Sequence, residues 1–315
     1  MRYAIPSEPS EILRSRHVDV VPYAARVRAL SERLGVDFSS TLYAYDTVPL
    51  CQQRDAHAAM RRETAELIAA RTGALRAAIP GLIDAHCAVL CGPGRVDVMR
   101  TVLAPLVSDA LSVLVEAPLD PDEDEHVSRV FSQAMGVAKR RKVEDALTGL
   151  RARLREALPE AEERVLGLKL ALAILGRDAM LGTFACTLHD LVAGLDGAPW
   201  SALDWPDMPT RTGVPFVDRV ALQDVSVDGE AVDAGGSIRA QLDVYETAAD
   251  PRDRLAFFGA GAHTCLGRAL TLDLWRAFAS MLARSGARPR VADYALRRDD
   301  VFHIPQTFVL EIATP

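Results

Sequence analysis

Residues 162–192 are apolar on nearly every side: Leu166, Leu170, Ala173, Ile174 and Leu175 leave no polar stripe for solvent. A helix of that kind belongs in the middle of a protein, so the stretch predicts one long central helix. Gly176-Arg177-Asp178-Ala179 interrupts it with a glycine and two charges, which are costly in a buried helix unless paired or facing a cavity. Helical periodicity also covers 54–89, where His57 and Arg61 fall one turn apart on one face. It resumes over 96–115 after the break Gly92-Pro93-Gly94. Leu270, Leu274, Phe278, Met281 and Leu282 repeat at the same spacing, so a further helix opens near Cys265. Residues 22–34 predict a helix and 37–40 a turn. An acidic connection, 118–125, leads into a charged helical region, 126–155. Strand signals are few: partial alternation around Val220, Leu222, Val225 and Val227, a hairpin turn at Asp228-Gly229, a turn at Gly235-Gly236, and short strands over 294–312. The pattern is mainly α with a minor sheet, over residues 1–315 as one domain.

Composition narrows the function. Forty-nine per cent of the 315 residues are hydrophobic and 25% charged, as in ordinary globular chains. A net charge of −7 supplies no phosphate-neutralising field, which argues against nucleic acid. The basic run Lys139-Arg140-Arg141-Lys142 reads as a solvated helix end. The opening residues carry no apolar secretory core, and the longest apolar run, 170–176, is too short for a bilayer. No membrane partner is therefore expected. Five scattered cysteines read as reduced thiols, and the protein as cytoplasmic. His86, Cys87 and Cys91 lack a fourth ligand for zinc and read as helix-face residues.

The chemistry concentrates in Phe258-Gly259-Ala260-Gly261-Ala262-His263-Thr264-Cys265-Leu266-Gly267. A cysteine at a helix N-terminus is favoured as thiolate by the helix dipole and free backbone N–H groups. Gly259, Gly261 and Gly267 let the backbone press against a flat ligand. Both features suit a cysteine ligating a metal beneath a planar cofactor.

The spacing Phe-Gly-x-Gly-x-His-x-Cys-x-Gly resembles the haem-binding loop of the cytochrome P450 family at every fixed position. The resemblance runs from about residue 50 to the C-terminus. It implies a P450-like helical fold, shortened at the N-terminus, in the lid over 126–155 and before Pro209. It also implies haem b, with Cys265 as the axial metal ligand. Phe258, Gly259 and Gly267 then lie against the cofactor, and His263, His57, Arg61 and Arg219 are its propionate contacts. Leu175-Gly176-Arg177-Asp178-Ala179 stands where the family has Ala/Gly-Gly-x-Asp/Glu-Thr, a threonine that helps deliver protons during dioxygen activation. Alanine cannot relay a proton. Gly176, Asp178 and Ala179 are the catalytic candidates, with Tyr43 beside them at the substrate. Asp178 passes protons through water, orients a polar substrate, or forms a salt bridge to a neighbouring helix. Met208-Pro209-Thr210-Arg211 lies over the family's Glu-x-x-Arg helix and keeps only the arginine.

Three functions follow from the resemblance and its departures. The first is oxidative tailoring of a small organic molecule in secondary metabolism, driven by a ferredoxin and reductase or by peroxide. The second is redox-neutral haem chemistry: dehydration, isomerisation or rearrangement of an N–O or O–O bond. The third is a non-catalytic haem protein or helper subunit. A homodimer covering a trimmed N-terminus is one alternative for its assembly.

Overall fold

The stretch without a polar face is a 31-residue helix, Glu163–Ala193, buried along most of its length. The computed structural model describes residues 2–132, 135–195, 197–297 and 301–314, and this central helix packs against the helical segments 39–47, 104–115 and 137–157 and the strands 288–296 and 305–313. The helix Ala104–Val115 packs across it at Gly176, where a Cβ would come within 2.7 Å of Leu111 Cδ2. Farther along, a Cβ at Gly182 would lie 2.2 Å from the His303 carbonyl oxygen, so only glycine admits that crossing.

A 34-residue helix, Arg54–Cys87, carries Pro80 in its interior. Polar contacts tie it to its surroundings: ion pairs of Arg71 with Glu116 (3.0 Å) and Arg76 with Asp273 (2.7 Å), and a hydrogen bond between His86 and Asp109 (2.7 Å). Two helical stretches, Asp55–Cys91 and Val98–Val115, are long and apolar enough by composition to cross a membrane. This departs from the expectation drawn from apolar runs alone, because interspersed charges shorten the runs while leaving the mean hydropathy high. Of their apolar windows, 61% of the second and 28% of the first is buried inside the protein.

The strands form three small groups. Tyr3–Ala4, Ser237–Gln241, Phe216–Ala221 and Val18–Val20 make a four-stranded sheet in that spatial order, with Arg219 opposite Ile238 on one side and Val20 on the other. Gly94–Asp97, Pro305–Ala313 and Arg288–Leu296 make a second sheet. The hairpin Val225–Val227/Glu230–Val232 turns at Asp228 (φ 49°) and Gly229 (φ 84°), the two positive angles that the Asp-Gly signal anticipates.

Some sequence boundaries move. Within 96–115, Val96 and Asp97 belong to the strand Gly94–Asp97, while Val98–Leu103 is a π-helical turn that runs into the α-helix Ala104–Val115, with Pro105 in the first turn of that helix. The 37–40 turn opens a helix, Ser39–Thr47, whose free N–H groups at Ser40 and Thr41 are accepted by the Glu144 carboxylate at 2.7 and 2.9 Å. The lid region divides into a 3-10 segment, Glu123–Phe131, and the helix Val137–Ala157. All five cysteines are free.

Candidate functional site

Backbone geometry builds the cysteine loop. Cys265 N–H donates to the Phe258 carbonyl at 2.8 Å and pinches the intervening residues into a hairpin-like turn. Gly259 sits at φ +83°, a conformation that L side chains rarely adopt. The helix Arg268–Leu282 opens directly after Gly267, and the backbone N–H groups of Gly267 and Arg268 point to the Cys265 sulfur. These donors and the Arg61 guanidinium favour the thiolate, whereas desolvation at the base of the cavity pushes the thiol pKa up and outweighs them.

Cys265 opens onto a cavity of about 270 Å³. Its floor is the loop from Phe257 to Gly267. One wall is the central helix at Leu172, Leu175, Gly176, Ala179, Met180 and Thr183; the other comes from His57, Arg61, Thr64 and Ile68 of the long helix. Leu111 and Leu114 close the far end, and Val214, Val217 and Arg219 the sheet side. The sequence candidates Cys265, His263, Phe258, Gly259, Gly267, His57, Arg61, Arg219, Gly176 and Ala179 thus meet around one space.

Four basic side chains gather on its rim. The His57 and His263 rings lie 3.9 Å apart between centroids. Arg61 donates to the Thr264 carbonyl, and Arg219 to the Asp218 carbonyl at 2.9 Å. Neither arginine has an ion-pair partner among the described residues, although Arg219 is buried. Burial, then Arg219, His57 and Arg61, hold the His263 pKa down to about 3. Burial with Arg61 and Arg219 also lowers that of His57. Guanidinium and imidazole donors converging with no salt bridge among them form a receptor for carboxylates, although Asp19 stands near enough to act on His57 and Arg219. A sulfur donor below and carboxylate-binding groups at the edge match the chemistry of haem b, so the residues present fit that cofactor.

Asp178 moves from catalytic candidate to the salt-bridge alternative that the sequence also offered. Its carboxylate is fully buried and turned away from the cavity, paired with Arg177 of the same helix and with Arg297 at 3.4 Å. Arg177 also donates to the Pro121 carbonyl at 2.6 Å. The charges inside the apolar helix are therefore solved by pairing, and Asp178 is not presented to a ligand. Tyr43 is corrected as well: it lies outside the cavity, under the Arg151 guanidinium (3.9 Å), with its hydroxyl donating to the Glu163 carbonyl. Ala179 does line the cavity, and no hydroxyl occupies its position. Thr183, one turn on, supplies the hydroxyl of this wall, and its Oγ1 accepts from Gly213 N–H at 2.8 Å. Sequence reading missed Thr183, although its spacing of four from Ala179 would have placed it on the same face.

No regular helix forms over 208–211. Met208 is buried in a small cluster with Leu242 and Phe257 beneath the loop. Arg211 bridges Asp190 (3.5 Å) and Glu246 (3.2 Å), and Glu246 accepts Thr212 N–H at 2.7 Å. An acid on the segment leading into the cysteine loop thus meets the arginine.

No family model matches the chain, and no curated protein is similar to it. Solved structures are similar in fold. CalO2 is 15% identical, with 97% of this chain and 88% of that one covered and a TM-score of 0.79. The tirandamycin C-bound P450 monooxygenase TamI is 18% identical over 98% of this chain and 89% of that one, at 0.76. The cytochrome P450 enzyme CYP109B1 from Bacillus subtilis is 14% identical, with 87% of each chain covered, at 0.63. Taken with the cysteine loop and its basic rim, these likenesses show that the chain has the cytochrome P450 fold.

Proposed function

We propose that the chain is a cytoplasmic haem-thiolate enzyme of the P450 type, one haem-binding domain over residues 1–315, that oxidatively tailors a small organic molecule. The observation that carries this reading is the joint placement of the Cys265 thiol and four basic groups on one cavity. Haem b, when bound, supplies activation of dioxygen or peroxide. Cys265 would hold its iron; His57, Arg61, His263 and Arg219 would hold its propionates. The remaining residues shape the reaction space. Gly176 and Ala179 keep the central wall low, Leu111, Leu114, Leu172 and Met180 exclude water, and the Thr183 hydroxyl, held by accepting from Gly213 N–H, is the polar group that this wall offers.

Absorption spectroscopy of the reduced protein under carbon monoxide tests the reading. A strongly red-shifted Soret band is expected for the wild type, and its loss in Cys265→Ser; an unchanged spectrum in that variant overturns the assignment.

A second reading is redox-neutral haem chemistry, favoured by one observation: Ala179 leaves its place on the wall without a hydroxyl, and Asp178 is locked away from the cavity. Turnover without any oxidant or reductant would support it; strict dependence on a reductase or peroxide would exclude it.

A further inference from the structure

A side chamber of about 110 Å³ adjoins the cavity and shares Leu50, Leu175, Val214, Val217 and Arg219 with it. By the space one water-sized position needs, it holds roughly ten non-hydrogen atoms. Its own walls are apolar and aromatic: Val20, Val21, Phe131, Phe216 and Phe302, with Tyr23 among them. Three polar side chains border it. The Asp218 carboxylate is clamped by Arg239 at 2.8 and 3.1 Å, and Arg219 belongs to the basic rim. Tyr23 is different: its ring is fixed by stacking on Tyr45 (5.5 Å, 17°) and by an edge contact with Phe131 (6.0 Å). Its hydroxyl has no hydrogen-bond partner among the described residues. A phenol with a rigid ring and an unused O–H suits recognition of one acceptor in apolar surroundings.

We infer that Tyr23 is a specificity-determining residue: its hydroxyl donates to a neutral acceptor, a ketone, ether or ester oxygen, on a small and otherwise apolar substrate whose body fills the side chamber. The inference rests on the proposed haem-thiolate reading for what happens to that substrate, though not for its binding. Burial raises the Tyr23 pKa, so the phenol is a donor throughout the neutral range.

The test compares two molecules of equal size and shape, acetophenone and α-methylstyrene, which differ in the presence of the acceptor oxygen. Binding to the haem-loaded protein is followed by the ligand-induced change in haem absorption and, independently of haem, by ligand-detected NMR. The wild type is expected to bind the ketone about fivefold more tightly, the size of one ordinary hydrogen bond. Tyr23→Phe keeps the ring and its stacking, and should bring the ketone down to the level of the alkene while leaving the alkene unchanged. Equal binding of both molecules by the wild type, binding of neither, or a preference that survives in Tyr23→Phe overturns the inference. Protein that purifies without a haem spectrum would instead refute the proposed function, with the NMR comparison still deciding the role of Tyr23.

Discussion

Asp178→Asn separates a structural from a catalytic carboxylate. The wild-type group is 0% exposed and serves two arginines, whose side chains are 7% and 12% exposed. Asparagine keeps the shape and one acceptor oxygen but removes the charge with which both guanidinium groups pair. Breaking a buried ion pair from one side costs about 3–5 kcal/mol. An unfolding entropy of roughly 2.1 cal/mol/K per residue over 315 residues makes one degree worth about 0.66 kcal/mol, so the melting temperature should fall by about 5–8 °C. The assay is a thermal melt of the haem-loaded protein beside turnover per folded haem at a temperature where both proteins are folded. Turnover is expected to stay within about twofold, because the group does not line the cavity. A melting temperature within a degree of wild type, together with a tenfold loss of turnover, would refute the reasoning and return Asp178 to proton delivery.

Other outcomes follow from the same packing. Arg211→Met strands the largely buried Glu246 carboxylate; since Arg211 is 40% exposed, the loss should be about 1–2 kcal/mol, and Glu246→Gln in the same chain should recover most of it in a denaturant melt. Lack of recovery would show that the pair contributes through packing. Gly213→Ala would bring a Cβ to 2.3 Å from the Ala179 carbonyl and should cost about 3 kcal/mol or more, whereas Gly81→Ala, with open space around it in a helix, should stabilise by about 0.5–1 kcal/mol. Equal melting temperatures for these two variants would contradict the close crossing.

The cysteine loop was legible because its determinants are local: a ten-residue window holds the sulfur, the glycines and the start of the following helix. His57 and Arg61 were legible for a similar reason, since four residues make one helical turn. Asp178 was not. Its decisive partner, Arg297, lies 119 residues away, and a helix apolar all round gives no pattern to say which side faces a cavity. Tyr43 was misplaced because 39–47 has weak periodicity and forms a helix only with Glu144 of another helix capping its start. The chamber around Tyr23 draws on residues near 20, 131, 217 and 302, so no linear window contains it.

The contact between the central helix and its neighbouring loops has a consequence for local opening. Beside the Gly182 crossing, Thr183 Oγ1 accepts Gly213 N–H, Thr187 Oγ1 accepts Arg211 N–H at 3.1 Å, and His303 N–H reaches the Gly213 carbonyl at 2.9 Å. Two turns of helix are stitched to two separate loops through backbone amides that cannot be released one at a time. Amide hydrogens of this belt should therefore exchange with solvent at the rate of global unfolding, and those of the Pro9–Arg14 segment by cheaper fluctuations. The wall at Ala179, Met180 and Thr183 is then the fixed side of the cavity.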